Sequence, residues 1–266
     1  MVAAAALMVL VGCSDTAGPV GSATASSTVS VSVEATGDLP QGSDPVELDP
    51  ADFTTEIDNP YFPVTPGTRL TYRETGDEGE MEVVVIVTNT TKLIGNGVTA
   101  RVVRDTVTLD GEIVEDTFDF YAQDSEGTVW YLGEDTAEFE DGEISSTEGS
   151  FEAGVDGALP GIVMPANPAP GMKYRQEYYA GHAEDNGEVL SVVEMADVSF
   201  GHYDDLVLTK DTIGLEPDVL SYKLYAKGIG VILTLDVSGG NGREELVSID
   251  TAPEDAGTGP LGTPNP

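Results

Sequence analysis

Six residue pairs suited to tight turns punctuate the sequence, and they constrain its fold more than any other feature. Three are Asn-Gly pairs and three are Asp-Gly pairs, beginning at Asn96, Asp110, Asp141, Asp156, Asn186 and Asn241. Most of them are flanked by runs of β-branched or aromatic residues. Two-residue hairpin turns need positive φ at both central residues, which these pairs tolerate best. The pattern predicts a meander of antiparallel strands.

The segments between these turns predict an all-β fold. Candidate strands follow one another from Thr68 to Ile249, and no segment shows sustained helical periodicity. The run Val83–Val87 is apolar on both faces, which is typical of a central strand. We expect a curved open or half barrel, because long neighbouring hairpins fit a meander; a two-sheet β-sandwich is the alternative. The Pro- and Gly-rich stretch 154–171 is expected to form a long ordered loop or crossing.

The charge of the chain excludes one class of function. The 266 residues contain 11 Lys and Arg against 48 Asp and Glu, which gives a formal net charge of −37. Nucleic acid phosphates repel such a chain, so we expect no nucleic acid partner. One Cys excludes a disulfide framework and Cys-based zinc sites, and two His exclude a three-His zinc site. We expect no metal and no cofactor.

The N-terminal residues predict an export signal. Residues 1–12 are apolar but too short to span a bilayer, which takes about 20 residues. Leu10-Val-Gly-Cys13 fits the bacterial lipobox, so we expect Cys13 to be acylated and to anchor the chain to a lipid bilayer. Export signals normally open with Lys or Arg, whereas the first base here is Arg69. We therefore expect a basic stretch upstream of Met1.

Composition divides the remaining chain into three parts. Residues 13–48 are rich in Ser, Thr, Gly and Ala and lack aromatic residues, which predicts a disordered tether. Residues 251–266 are rich in Pro and Gly and are predicted to form a disordered tail. The folded unit is expected to be a single β domain over residues 49–250.

Two motifs carry a resemblance to known proteins. Asp58–Thr68 reads Asp-Asn-Pro-Tyr-Phe-Pro-Val-Thr-Pro-Gly-Thr, and Tyr225–Val231 reads Tyr-Ala-Lys-Gly-Ile-Gly-Val. Together with Asp119–Asp124 and Val129–Glu134, they resemble a group of uncharacterised secreted bacterial lipoproteins. The resemblance implies an exported β domain and no particular activity. At the level of fold, the chain is also similar to the open half barrels of periplasmic lipoprotein and lipid carriers of the LolA and LppX kind.

Aromatic residues suggest where a ligand would bind. On the strand that follows Asp110-Gly111, Phe118 and Phe120 alternate with polar residues, which places both on one face. Tyr222 occupies an equivalent position on a later strand. We expect this face to be the concave one, where Phe118, Phe120, Tyr222 and the Pro-rich loop line a site for an apolar or amphipathic small molecule.

Two polar groups are further candidates. His182, Glu184 and Asp185 lie close together before an Asn-Gly turn, where an imidazole beside carboxylates suits acid–base chemistry or metal ligation. A polar loop is the simpler interpretation.

Arg101, Arg104 and Arg175 lie inside predicted strands, where they form either cross-strand ion pairs or an anion-binding pocket. The first alternative is favoured, because no Gly-rich phosphate loop accompanies them.

The sequence thus predicts a membrane-tethered extracytoplasmic lipoprotein. We favour a non-catalytic module that binds a small molecule or a protein partner, because no nucleophile signature such as Gly-x-Ser-x-Gly is present. The alternative is an extracytoplasmic hydrolase that acts on a glycan or an ester through His182 and neighbouring carboxylates.

Overall fold

The computed structural model describes residues 39–77 and 79–264. These residues form fifteen strands in one sheet and a single turn of 3-10 helix, Pro50–Asp52. In chain order the strands are β1 Phe53–Thr54, β2 Thr68–Gly76, β3 Gly79–Leu93, β4 Thr99–Leu109, β5 Glu112–Asp124, β6 Val129–Glu140, β7 Glu143–Ser146, β8 Phe151–Glu152, β9 Gly161–Met164, β10 Lys173–Arg175, β11 Asp185–Val198, β12 Gly201–Ile213, β13 Leu220–Ala226, β14 Gly230–Ser238 and β15 Arg243–Thr251. The predicted signal peptide and Cys13 lie outside the described residues.

The sheet is antiparallel throughout and follows the chain for most of its width. Its strand order is β10-β11-β12-β13-β14-β15-β2-β3-β4-β5-β6-β7, with β1 added to β5 and both β8 and β9 added to β6. The two arms approach each other at a bridge between Leu159 and Tyr178, but the sheet is not closed into a barrel. The predicted curved open meander is confirmed. No helix of the described residues has the length and apolarity to cross a membrane.

The predicted Asp-Gly turns are confirmed. Asp110 and Gly111 have φ values of 52° and 87°, and both residues of the other two pairs also have positive φ. The prediction at Asn186-Gly187 is wrong, because both residues lie inside β11. A Cβ on Gly187 would lie 2.6 Å from the ring of Tyr174, so this glycine makes room for a buried aromatic side chain.

The stretch 154–171 is a loop only in part, because it contains β9, which pairs with β6. A Cβ on Gly161 would lie 1.9 Å from the carbonyl oxygen of Gln176. Glycine at this position lets β9 pack closely against the backbone of Gln176, which follows β10. The sequence prediction missed this short strand because glycine and proline dominate the residues around it.

Both described ends of the chain pack against the sheet. Residues 252–264, for which the sequence predicts a flexible tail, cover one face, where Ala252 and Ala256 are buried with Val84 and Ile86. Residues 39–48, part of the predicted tether, contact the sheet through backbone carbonyls: those of Pro40 and Gly42 accept hydrogen bonds of 2.8 Å from the backbone N–H and the guanidinium of Arg175, respectively. Backbone carbonyls supply these contacts, and composition gives no indication of them.

The two motifs of the resemblance meet in the structure. The backbone N–H of Gly228 donates to the carbonyl of Pro60 at 2.7 Å, and the Lys227 ammonium lies 5.5 Å from the ring centre of Tyr61. Phe62 and Val64 from the first motif and Val231 from the second line a small apolar cavity of about 70 Å³. The motifs therefore hold the chain segment between β1 and β2 against the β13–β14 hairpin.

Candidate functional site

The curled sheet encloses one large cavity of about 430 Å³. Glu115 on β5 and Glu134 on β6 line one side, and Asp211 on β12 and Lys223 on β13 line the other. Asp236 on β14 belongs to the second side. In the strand order, β14 and β5 are separated by β15, β2, β3 and β4, so the sheet must curve to bring the two sides of the cavity together. We call the face that carries these residues the inner face and the opposite one the outer face.

The wall of this cavity is acidic. Its lining includes Lys223, His182 and ten carboxylic acids: Glu115, Glu134, Glu138, Glu148, Glu177, Glu184, Asp185, Asp211, Glu216 and Asp236. Most binding cavities in proteins are mainly apolar, with a few polar groups that orient the ligand. A wall of this composition suits a ligand that carries positive charge.

Lys223 neutralises one of these acids. Its ammonium lies 3.0 Å from Asp211 Oδ2, and both side chains are buried. Thr209 donates to Asp211 Oδ1 at 2.8 Å, and Gln176 donates to Asp211 Oδ2 at 3.1 Å. Asp211 is therefore engaged within the protein, and Lys223 also lowers the pKa of Asp185 and Asp236 in the same wall.

A tyrosine hydroxyl joins two buried acids beside the cavity. Tyr131 Oη lies 2.7 Å from Asp119 Oδ1 and 2.7 Å from Glu134 Oε2. A register shift between β5 and β6 places Tyr131 and Glu134 on the same face although they are three residues apart. Burial, and next the charge of Asp119, raise the pKa of Glu134 to about 8. Burial also raises the pKa of Asp119.

Glu177 and Asp185 form a second pair of acids in the cavity wall. The backbone N–H groups of Gln176 and Glu177 donate to the carbonyl of Asp185 at 2.7 and 3.3 Å, and Glu177 Oε2 has no hydrogen-bond partner among the described residues. Burial raises the pKa of Asp185 to about 6. Burial, and next the charge of Asp185, raise the pKa of Glu177 well above its usual range.

The structure brings His182, Glu184 and Asp185 together around the cavity, as their closeness in sequence suggests. His182 is exposed, and its ring stacks on that of Tyr179 with centroids 4.4 Å apart. Glu184 accepts a hydrogen bond of 2.8 Å from the backbone of Gly181. These residues thus form a turn at the rim, while Asp185 contacts the buried acids.

The three arginines have separate partners. Arg104 and Asp116 form a bidentate ion pair that is almost fully buried on the outer face. The guanidinium of Arg101 contacts the carbonyls of Thr55 and Thr90. That of Arg175 donates to carbonyls, including Pro160 at 2.8 Å. The ion-pair interpretation therefore describes Arg104, whereas Arg101 and Arg175 bind backbone oxygens.

The aromatic candidates lie away from the acidic cavity. Phe118 pairs with Arg104 in register and so shares its outer face, whereas the next residue, Asp119, points inward. Phe120 is buried under the ammonium of Lys92, 3.9 Å from the ring centre. Tyr222 alternates with the cavity residues Ser221 and Lys223 and therefore also faces outward.

Sequence reasoning missed most of the acids that build the site. Glu134, Glu177 and Asp211 lie within or beside strands, and each is buried. Their neighbours give little signal: Glu134 stands between Gly133 and Asp135, and Asp211 between Lys210 and Thr212. In a chain so rich in acids, such positions are hard to separate from a solvated surface.

No three His, Cys, Asp or Glu side chains in residues 39–77 and 79–264 are arranged so as to hold a metal ion.

The solved structures similar to this chain share little of its sequence. No known protein family and no curated protein matches the sequence significantly. A Bacteroides fragilis protein described as exported and as having a YmcC-like fold is 14% identical, with a TM-score of 0.45, over 72% of this chain and 99% of that one. A Parabacteroides distasonis protein described as a lipoprotein is 10% identical, with a TM-score of 0.37, over 71% of this chain and 98% of that one. Such similarities say nothing about function.

Proposed function

We propose that this protein is an extracytoplasmic binding protein whose inner cavity takes a small organic cation. The observation that carries the proposal is the cavity of about 430 Å³, lined by ten carboxylic acids and by Lys223, which is already paired with Asp211. That volume lies within the range of small-molecule sites. The ligand class differs from the apolar one expected from Phe118, Phe120 and Tyr222, because the cavity wall is acidic.

The distribution of the acids favours an organic cation over a metal ion. They come from both arms of the sheet, for example Glu138 on β6 and Asp236 on β14. A metal ion gathers its oxygen ligands within about 2.6 Å. A molecule with two or more amino groups spreads its charge over a greater length and meets acids on opposite walls.

Isothermal titration calorimetry with three compounds of equal length tests the proposal. The probes are 1,5-diaminopentane, 1,5-pentanediol and glutarate, which are cationic, neutral and anionic at pH 7. We expect one molecule of the diamine to bind at least tenfold more tightly than the diol, and glutarate not to bind. Equal affinity for the diamine and the diol would refute the proposal.

Paired variants locate the binding. The double variant Glu138→Gln/Glu216→Gln removes two acids from the cavity wall and is expected to weaken diamine binding about tenfold, through loss of roughly 1.4 kcal/mol of attraction. The control Glu140→Gln/Asp218→Asn removes two exposed acids outside the cavity. It is expected to leave affinity within twofold, and an equal loss in both variants would show attraction to net charge alone.

The cellular location is part of the proposal and rests on the sequence. The apolar leader and its lipobox support export and acylation of Cys13, which would anchor the domain to the bilayer. Cys13→Ser is expected to move the protein from the membrane fraction to the soluble extracytoplasmic fraction. Retention of the variant in the membrane fraction would refute lipid anchoring.

A hydrolase that acts on a glycan or an ester is the second candidate. It is favoured by one observation, the carboxyl groups of Asp185 and Glu134 in one cavity wall with pKa values raised to about 6 and about 8. Acids with separated pKa values suit the roles of base and acid in hydrolysis. Turnover of glycan or ester substrates that is lost in His182→Ala and Asp185→Asn would support this function over simple binding.

A further inference from the structure

The contacts of Tyr131 require a proton on one of its two partners. Its hydroxyl lies 2.7 Å from a carboxyl oxygen of Asp119 and from one of Glu134, and a hydroxyl group has a single hydrogen to donate. If both contacts are hydrogen bonds, the second hydrogen must come from a carboxylic acid. The bridge therefore holds one proton on the Asp119–Glu134 pair, and Glu134 is the member that lines the cavity.

The second pair of acids adds an unsatisfied group to the same wall. Glu177 and Asp185 both line the cavity, and Glu177 is 7% exposed. Glu177 Oε2 has no hydrogen-bond partner among the described residues. The wall thus combines a held proton with a buried carboxyl oxygen that lacks a partner, where a ligand would bind.

The surroundings of Glu134 explain why its pair keeps a proton. Asp119 and Glu115 face it from β5, and Glu138 shares its strand. Glu177 follows β10, Asp185 begins β11, and both approach it. The ammonium of Lys223 on β13 pairs with Asp211 and also lowers the pKa of Asp119 and Asp185. Ionising Glu134 would add charge to a wall in which acids far outnumber this one lysine.

We propose that the cavity is a proton–cation exchange site, in which an organic cation displaces the proton held by the Asp119–Glu134 pair. The proposal rests on the proposed function. Charge balances in the exchange: one ammonium group that enters replaces this proton, which leaves to solvent, and no covalent bond to the ligand forms. The cavity thereby avoids a large unpaired charge both with and without its ligand.

Calorimetry in two buffers tests the exchange on the full chain. At pH 7, 1,5-diaminopentane is titrated in phosphate and in Tris, whose different ionisation heats report the number of protons released. We expect about one proton per diamine. The affinity should increase up to tenfold per pH unit for each proton between pH 6 and pH 7.5, where the amino groups, with pKa values near that of lysine at about 10.4, stay charged.

Matched variants assign the protons. Glu134→Gln keeps the shape of the neutral acid but has no proton to release, and it is expected to lower the number released by about one and to weaken the pH dependence of binding. Glu140→Gln, an exposed position on the same strand, is expected to change neither quantity. An unchanged proton count in Glu134→Gln would overturn the role of this pair.

The outcomes separate the two proposals. Binding of the diamine in wild-type protein without proton release would overturn the exchange and leave the binding function standing. Absence of diamine binding would overturn both. The wild-type titration needs no variant, so poor folding of Glu134→Gln would not prevent the decision.

Discussion

At the scale of single residues, this protein buries acids that most folds would place in water. Asp105 on β4 is 6% exposed, and neither of its carboxyl oxygens has a hydrogen-bond partner among the described residues. Burial, and next the charges of Asp119 and Glu244, raise the pKa of Asp105 well above its usual range. An unsatisfied buried polar group costs about 1–3 kcal/mol, so this residue lowers the stability of the fold.

Replacing Asp105 by Val should therefore stabilise the protein. Valine has a similar shape, suits a strand and adds apolar surface beside the small apolar cavity that Asp105 lines. We expect the melting temperature to rise by about 3–10 °C, as followed by circular dichroism at pH 7. Glu82→Val, an exposed position on the neighbouring strand, is the control and should change it little. A lower melting temperature in Asp105→Val would contradict this account of the residue.

The buried acids also predict how stability depends on pH. Burial raises the pKa of Glu134 to about 8 and that of Glu244 to about 7, whereas an exposed glutamate titrates near 4.3. Between these values the folded protein binds protons that the unfolded chain has lost, so the free energy of unfolding falls as pH rises. We expect the melting temperature at constant ionic strength to be roughly 5 °C or more higher at pH 5 than at pH 8, and Glu134→Gln to reduce that difference. An equal or higher value at pH 8 would contradict it.

At the scale of elements, the C-terminal segment is part of the folded domain. Arg104 donates to the carbonyls of Gly259, Pro260 and Thr263, and the backbone N–H of Gly262 donates to Asp116 at 2.7 Å. A buried ion pair needs such additional hydrogen bonds, because attraction between the two charges alone does not offset the loss of their hydration. The C-terminal segment thus supplies hydrogen-bond partners to both members of the buried Arg104–Asp116 ion pair.

Deleting residues 252–266 should destabilise the sheet. The deletion exposes the Arg104–Asp116 pair and the apolar surface of Val84 and Ile86. We expect a loss of about 3–5 kcal/mol in the free energy of unfolding, as measured by urea denaturation. The double variant Glu254→Gln/Asp255→Asn, at exposed positions within the intact segment, serves as a control for charge. Unchanged stability after the deletion would show that the segment contributes little.

At the scale of the whole molecule, the net charge of −37 acts on both stability and recognition. Repulsion among acids extends further at low ionic strength, where the Debye length is about 30 Å at 0.01 M salt and about 3 Å at 1 M. The same field attracts cations toward the cavity and repels anions.

Salt should therefore raise the melting temperature. We expect an increase of several degrees between about 0.01 M and 1 M NaCl, because screening weakens repulsion in the folded state. Differential scanning calorimetry across this range measures the effect. A melting temperature independent of salt would contradict the role given to surface repulsion.

Much of the fold, but little of the candidate site, could be predicted from the sequence. Turns are local: Asp110-Gly111 fixes a hairpin through its own backbone preferences, so the meander was predictable. The cavity depends on which face becomes concave. Phe118 and Asp119 are adjacent, and alternation alone separates them without showing which one faces the cavity side. The face that becomes concave depends on the curvature of the whole sheet and on the C-terminal segment that covers the outer face.

The most direct test of the central claim is a crystal structure of the protein with 1,5-diaminopentane. The account predicts one diamine inside the inner cavity, with an ammonium group about 2.7–2.9 Å from a carboxyl oxygen of Glu177 or Asp185. A diamine bound only to exposed acids outside the cavity, or a cavity that excludes it at saturating concentration, would contradict the account.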